Sequence, residues 1–233
     1  MRAYLKESAH PVYGAWVALV MFMAYEILLV ADPRAMGGVR NAPEAWTRTL
    51  LYYLGVEPRY LTFVMITGAL LAIPWFHRHR TNRPSTRVFG GLVVEAMIWG
   101  AVSGIWIQWV LGTLFFAIGP RGTPLLTKLG LAVGAGLFEE LFFRVFLTSL
   151  LIMLFTMIFK SRLPSLVAAV LLASFLFSLM HYVGSLGDSF ELYSFVFRFF
   201  AGLWFTTLYA VRGFALTALT HAFYDIYLVL GSG

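Results

Sequence analysis

The stretch Phe138-Glu139-Glu140-Leu141-Phe142-Phe143-Arg144 sets two carboxylates and a guanidinium in the middle of an apolar run that extends from Leu125 to Phe159. The rest of that run is almost wholly Leu, Val, Phe, Gly, Ala, Ile, Met and Thr, the composition of a helix in lipid rather than in water. A charged side chain near a bilayer centre costs about 2.5 to 3.5 kcal/mol on insertion scales, so such groups pair inside a bundle and mark a pathway or a site. On an α-helix Glu140 and Arg144 stand four apart and share a face, whereas Glu139 points about 100° away from Glu140. The arginine can therefore neutralise one carboxylate while its neighbour stays free for chemistry.

Outward from this stretch, the whole chain has the composition of a membrane body. Of its 233 residues 60% are hydrophobic, 17% aromatic and only 12% charged, and the mean hydropathy is +0.81. That excludes an ordinary soluble domain and predicts an all-α fold: a polytopic transmembrane helical bundle of about seven spans (six to eight). Residues 1–233 then form a single integral membrane domain, with 125–230 as its catalytic core. Cysteine is absent, which removes disulfides, a thiolate nucleophile and thiolate metal sites. The net charge of +6 points to headgroups rather than nucleic acid, because the basic residues fall mostly between apolar runs.

The apolar runs give the order of spans. The first covers about Val12 to Ala31, behind a basic start, and is long enough to cross. Glu26 inside it reads as a carboxylate reaching the interface. Asn41 to Gly55 carries a helix start, apolar residues at Trp46, Leu50, Leu51 and Leu54, and a stop glycine. This predicts a short interfacial helix near 43–55, anchored by Trp46. A second span follows from Tyr60 to Phe76, then the loop from His77 to Arg87 with four arginines, which the positive-inside tendency places in the cytoplasm. His77 and His79 in that loop read as part of a solvated basic segment rather than a metal motif. The run from Val88 to Gly119 is too long for an upright span and is expected to tilt strongly or break near Gly100 or Gly104. Glu95 inside it is either a partner for a buried cation or an interface residue. After the long run from Leu125 come spans at about Ser165 to Tyr182, Phe190 to Val211 and Gly213 to Leu230.

Of the five histidines, only His181 and His221 lie within apolar spans. His221 and Asp225 are again four apart on one helical face, so the carboxylate can accept from one imidazole nitrogen and orient the other. In order along three separate helices, Glu139-Glu140-x-x-x-Arg144, Phe177-x-x-x-His181 and His221-x-x-x-Asp225 resemble the three motifs of the CPBP family. That family comprises CAAX prenyl endopeptidases of the Ras-converting type and bacteriocin-processing or immunity proteins. The resemblance covers about Leu125 to Leu230.

It implies an intramembrane endopeptidase of the glutamic type acting on a membrane-anchored or lipidated protein or peptide, cut near its C-terminus, with no cofactor. Carried over by motif, Glu139 is the base, His181 its partner on the water, Glu140 and Arg144 a supporting pair, and His221 with Asp225 the oxyanion side. Two positions depart from the pattern. Val145 stands where members often have glycine. Asp225 stands where many have asparagine, and an ionised aspartate cannot donate to an oxyanion. The ligand types also permit a zinc alternative on Glu139, His181, His221 and Asp225. Two non-enzymatic readings remain, a proton or ion transporter and a peptide-binding immunity protein, although the halves of the chain show no convincing internal repeat. With the loop 77–87 inside, seven spans put the N-terminus inside and the C-terminus outside a plasma or inner membrane, and His181 near the outer end of its span.

Overall fold

The computed structural model describes residues 2–32, 40–78, 83–111, 122–184 and 187–231, and these are helical throughout, with no strand among them. A short α1 (Arg2–Ser8) leads into α2 (Pro11–Val30), whose first turn is capped by His10, its Nδ1 accepting from the Val12 amide at 3.2 Å. Next come α3 (Ala42–Tyr53), α4 (Leu61–His77) and α5 (Thr86–Leu111). The run from Leu125 to Phe159 is one continuous helix of 35 residues. It is wound as α6 (Leu125–Gly134), a π-helical segment (Ala135–Thr148) and α7 (Ser149–Phe159). The chain closes with α8 (Arg162–Met180), α9 (Leu192–Arg212) and α10 (Phe214–Gly231).

Six of these helices are long and apolar enough to cross a bilayer, and α4 is a shorter apolar helix of 17 residues, in line with about seven spans. Apolar side chains cover the outside as well as the core: Trp109 is 82% exposed, Phe63 69% and Leu163 70%. Only lipid makes such a surface inexpensive, and the protein is an integral membrane protein.

The described residues bear on two of these expectations. For the run from Val88 to Gly119, expected to tilt or break, no break occurs at Gly100 or Gly104, and α5 runs continuous through both. Gly100 serves contact instead of a kink: a Cβ there would lie 3.0 Å from both Phe223 Cβ and the Tyr224 amide nitrogen, so the missing side chain lets α5 press against α10. The length problem is not resolved by a break among the described residues, and 112–119 lie outside them, as do 79–82 of the arginine loop. The second expectation concerns Trp46. The helix α3 forms where expected and leaves Leu50 and Leu54 exposed, and Trp46 packs edge-on against Phe142 (5.7 Å) and Phe143 (6.5 Å) of the π segment. These contacts anchor α3 to the protein. Glu44 completes the joint, fully buried, accepting from Tyr25 of α2 and from Arg48 at 2.7 Å.

Glu95 and Glu26, intramembrane carboxylates outside the motifs, are paired. Glu95 takes the guanidinium of Arg212 in two hydrogen bonds, 3.0 Å from Nε and 2.7 Å from Nη2, and the Tyr4 hydroxyl at 2.7 Å. Of its two sequence readings, partner to a buried cation is the one observed. Glu26 accepts from Arg40 at 3.0 Å. The core itself lies between α2, α5, α10 and the π segment, and includes Tyr13, Phe22, Tyr25, Leu92, Leu137, Phe138, Leu216 and Ala218.

Candidate active site

The π segment carries Glu139, Glu140 and Arg144, and one glycine brings it onto α10. A Cβ on Gly136 would stand 2.5 Å from the Ala218 carbonyl oxygen and 2.8 Å from the Ala222 amide nitrogen, so only glycine lets the two backbones touch. One turn further on, that contact sets Glu140 beside His221. Nδ1–H of His221 donates to Glu140 Oε1 at 2.7 Å, while Glu140 Oε2 faces Arg144 Nε at 3.1 Å. Glu140 and Arg144 have no solvent exposure. The expected Glu140–Arg144 pair is therefore present, with a third member that sequence spacing did not indicate.

His221 is clamped further by its ring, stacked on Phe205 at 4.6 Å and 16°. Its Nε2 faces Asp225 Oδ2 at 3.6 Å, beyond hydrogen-bond length. The carboxylate that holds this imidazole is thus Glu140 rather than Asp225, whose side chain keeps 13% exposure.

His181 caps the C-terminal end of α8. Its Nδ1–H donates to the Phe177 carbonyl at 2.8 Å, which fixes the tautomer and leaves Nε2 as a bare acceptor. Among the charges acting on this histidine, Glu139 is foremost, ahead of Arg198 and Asp188. The Glu139 charge is also felt at His221, Asp225 and Arg144. Unlike Glu140 it keeps partial exposure and has no hydrogen bond or ion pair to the described residues.

The role of Phe177 was not readable from its spacing. Its ring meets Phe143 at 5.0 Å and 90°, His181 at 4.9 Å, and the Arg144 guanidinium at 4.4 Å. It joins the first motif to the second, and a cation over an aromatic face is attracted by the ring quadrupole. None of the three Arg144 nitrogens has a hydrogen-bond acceptor with proper geometry among the described residues. A fully buried guanidinium in that state requires ordered water or substrate. Val145, by contrast, is 38% exposed on the outside of the helix and takes no part.

Among the described residues no three His, Asp or Glu side chains stand close enough to hold a metal ion, and His221 Nδ1 is committed to Glu140. Sequence reading also passed over a polar group next to His181. Arg198 on α9 donates from Nη2 to Asp188 at 2.6 Å, and the Asp188 amide donates to the His181 carbonyl at 2.8 Å. The signal for it was available: Arg198 is a lone cation within the apolar run of α9.

Residues 121–227, somewhat under half of the chain, match the family model described as type II CAAX prenyl endopeptidase Rce1-like. No curated protein and no solved structure matches the chain. The matched segment contains Glu139, Glu140, Arg144, His181, His221 and Asp225 in order, and over that segment the chain is similar to the CAAX type of membrane protease.

Proposed function

We propose that the protein is a glutamic-type intramembrane endopeptidase that hydrolyses a peptide bond near the C-terminus of a membrane-anchored or lipidated substrate. The observation that carries this reading is the division of labour between the two adjacent carboxylates. Glu140 is buried and committed to Arg144 and His221, whereas Glu139 is partly exposed, uncommitted, and acts on a histidine whose Nε2 lone pair is free. A base needs an available lone pair and room for water, and of the two adjacent carboxylates Glu139 has both.

In the proposed reaction, water sits between Glu139 and His181 Nε2. Glu139 takes its proton as the oxygen attacks the scissile carbonyl carbon. The carbonyl oxygen becomes an oxyanion on the His221 side, where the imidazole, held by Glu140 at Nδ1 and stacked on Phe205, donates from Nε2 as the imidazolium. Collapse breaks the C–N bond, and the proton held by Glu139 passes to the leaving amine. Asp225 acts through His221 Nε2, or donates directly when protonated. Arg144 stays a positioning residue, holding Glu140 so that Glu140 can hold His221. The reaction as written uses no metal.

Cleavage of a farnesyl-cysteine peptide by purified protein in detergent tests this, comparing wild type with Glu139→Ala and His181→Ala, each with and without a strong chelator. Activity that survives the chelator and is lost in both variants is the expected result. Loss in chelator with rescue by zinc would move the chemistry to a metal. Equal cutting by wild type and both variants would end the protease reading, and ion flux that depends on Glu139 would favour transport.

A further inference from the structure

Beside His181 lies a cation that none of the three motifs contains. Arg198 sits in the second turn of α9, where a charge within an apolar helix calls for a purpose. One edge of its guanidinium is tied to Asp188, which is tied in turn to the His181 carbonyl, so Arg198 hangs two hydrogen bonds from the histidine. The other edge is free: Nη1 is buried with no hydrogen-bond partner among the described residues. The Tyr182 hydroxyl is buried and unpartnered in the same way, and the guanidinium carbon lies 5.1 Å from the centre of the Tyr182 ring.

These are two donors in want of an acceptor, and their walls are aromatic. Tyr182 meets Phe190 at 5.2 Å and Phe195 at 6.2 Å. A compact anion carrying an apolar tail suits such a place. Asp188 does not already fill the need, because it uses Nη2 and is 61% exposed, so solvent screens its charge. The buried Nη1 edge is where an anion gains most.

This inference rests on the protease reading above. A substrate cut near its end carries a free carboxylate a short way beyond the scissile bond, and Arg198 is joined through Asp188 to the chain of His181. We propose that Arg198 Nη1 and the Tyr182 hydroxyl bind the C-terminal carboxylate of the peptide substrate, which makes Arg198 a specificity-determining residue that sets the distance from cut to chain end.

The test compares one farnesyl-cysteine peptide as free acid and as C-terminal amide. Wild type should favour the acid by about 10- to 100-fold in kcat/KM, the range for a hydrogen bond to a charged group. Arg198→Gln should reduce that ratio to about threefold or less, and Tyr182→Phe should give an intermediate value. Equal cutting of acid and amide by wild type, or a ratio that survives Arg198→Gln, overturns the assignment. The acid-to-amide comparison on wild type needs no variant, so misfolding of Arg198→Gln cannot obscure it.

Equilibrium binding of both peptides to the Glu139→Gln protein, read by displacement of a fluorescent farnesyl peptide, separates this proposal from the one it rests on. Preference for the acid there, with no cleavage by wild type, keeps the carboxylate site and ends the protease reading. Equal binding, or none, ends the carboxylate site whatever the cleavage result. If acid and amide bind alike and Arg198→Gln instead loses affinity for phosphatidylglycerol in nanodiscs, the cation belongs to a lipid phosphate and the proposal fails.

Discussion

Glu139 and Glu140 are neighbours of identical chemistry, and the structure predicts opposite outcomes when each is removed. Glu140→Ala strips the one carboxylate ion-paired with the fully buried Arg144 among the described residues, and the acceptor of a buried His221 Nδ1–H. Breaking a buried pair by deleting one partner costs about 3 to 5 kcal/mol, because the remaining charge stays desolvated. At roughly 2 to 4 °C per kcal/mol for a chain of this size, thermal unfolding in detergent should fall by about 6 to 20 °C. Glu139 has no such partner among the described residues and keeps partial exposure, so Glu139→Ala should shift the midpoint by no more than about 2 °C while removing activity. Tryptophan fluorescence or differential scanning fluorimetry in one detergent reads both. The double variant Glu140→Ala with Arg144→Met, which also removes the stranded charge, should recover part of the loss. Equal midpoints for the two single variants, or a double variant no better than Glu140→Ala, would refute the division of labour between the carboxylates.

Further predictions follow from neighbouring contacts. Gly136→Ala places a Cβ 2.5 Å from the Ala218 carbonyl, so the π segment and α10 must separate, costing about 1 to 3 kcal/mol and lowering kcat more than KM as Glu140 draws away from His221; thermal unfolding and kinetics check both parts. Phe177→Leu keeps apolar bulk but removes the ring beneath Arg144 and beside His181, and should lower kcat by about tenfold with a stability loss near 1 kcal/mol, while equal kinetics would show the ring to be mere filler. Arg212→Leu strands Glu95 and should destabilise by about 2 kcal/mol, with kcat per folded molecule retained, because that network joins α1 to α5 and α9 away from the six polar residues. Glu44→Gln weakens the joint between α3 and α2 at Tyr25 and Arg48, and faster proteolysis near residues 40–56 is the expected sign.

Helical periodicity and hydropathy reach some of these features and not others. The spans were legible because lipid imposes one rule on every residue of a helix, whatever its neighbours: an apolar run of sufficient length must cross. The intramembrane charges were legible for the same reason, since each is costly enough to demand a partner or a purpose. The choice of partner was not. Glu95 could have met a cation or the interface, and only packing of α9 against α5 supplied Arg212. Trp46 was legible as an anchor, but its contacts with Phe142 and Phe143 were not.

By itself the sequence determined that this is an all-helical membrane protein and which polar residues, on which helices, are candidates for its chemistry. Only the tertiary structure decided that His221 is held by Glu140 and not by Asp225, that Phe177 joins two motifs through its ring, and that Arg198 stands next to His181. The reason is physical. Spacing along a helix fixes which side chains share a face, but contacts between helices depend on the approach of backbones. That approach is set here by single glycines such as Gly136, whose effect is felt in three dimensions and leaves no periodic trace in the chain.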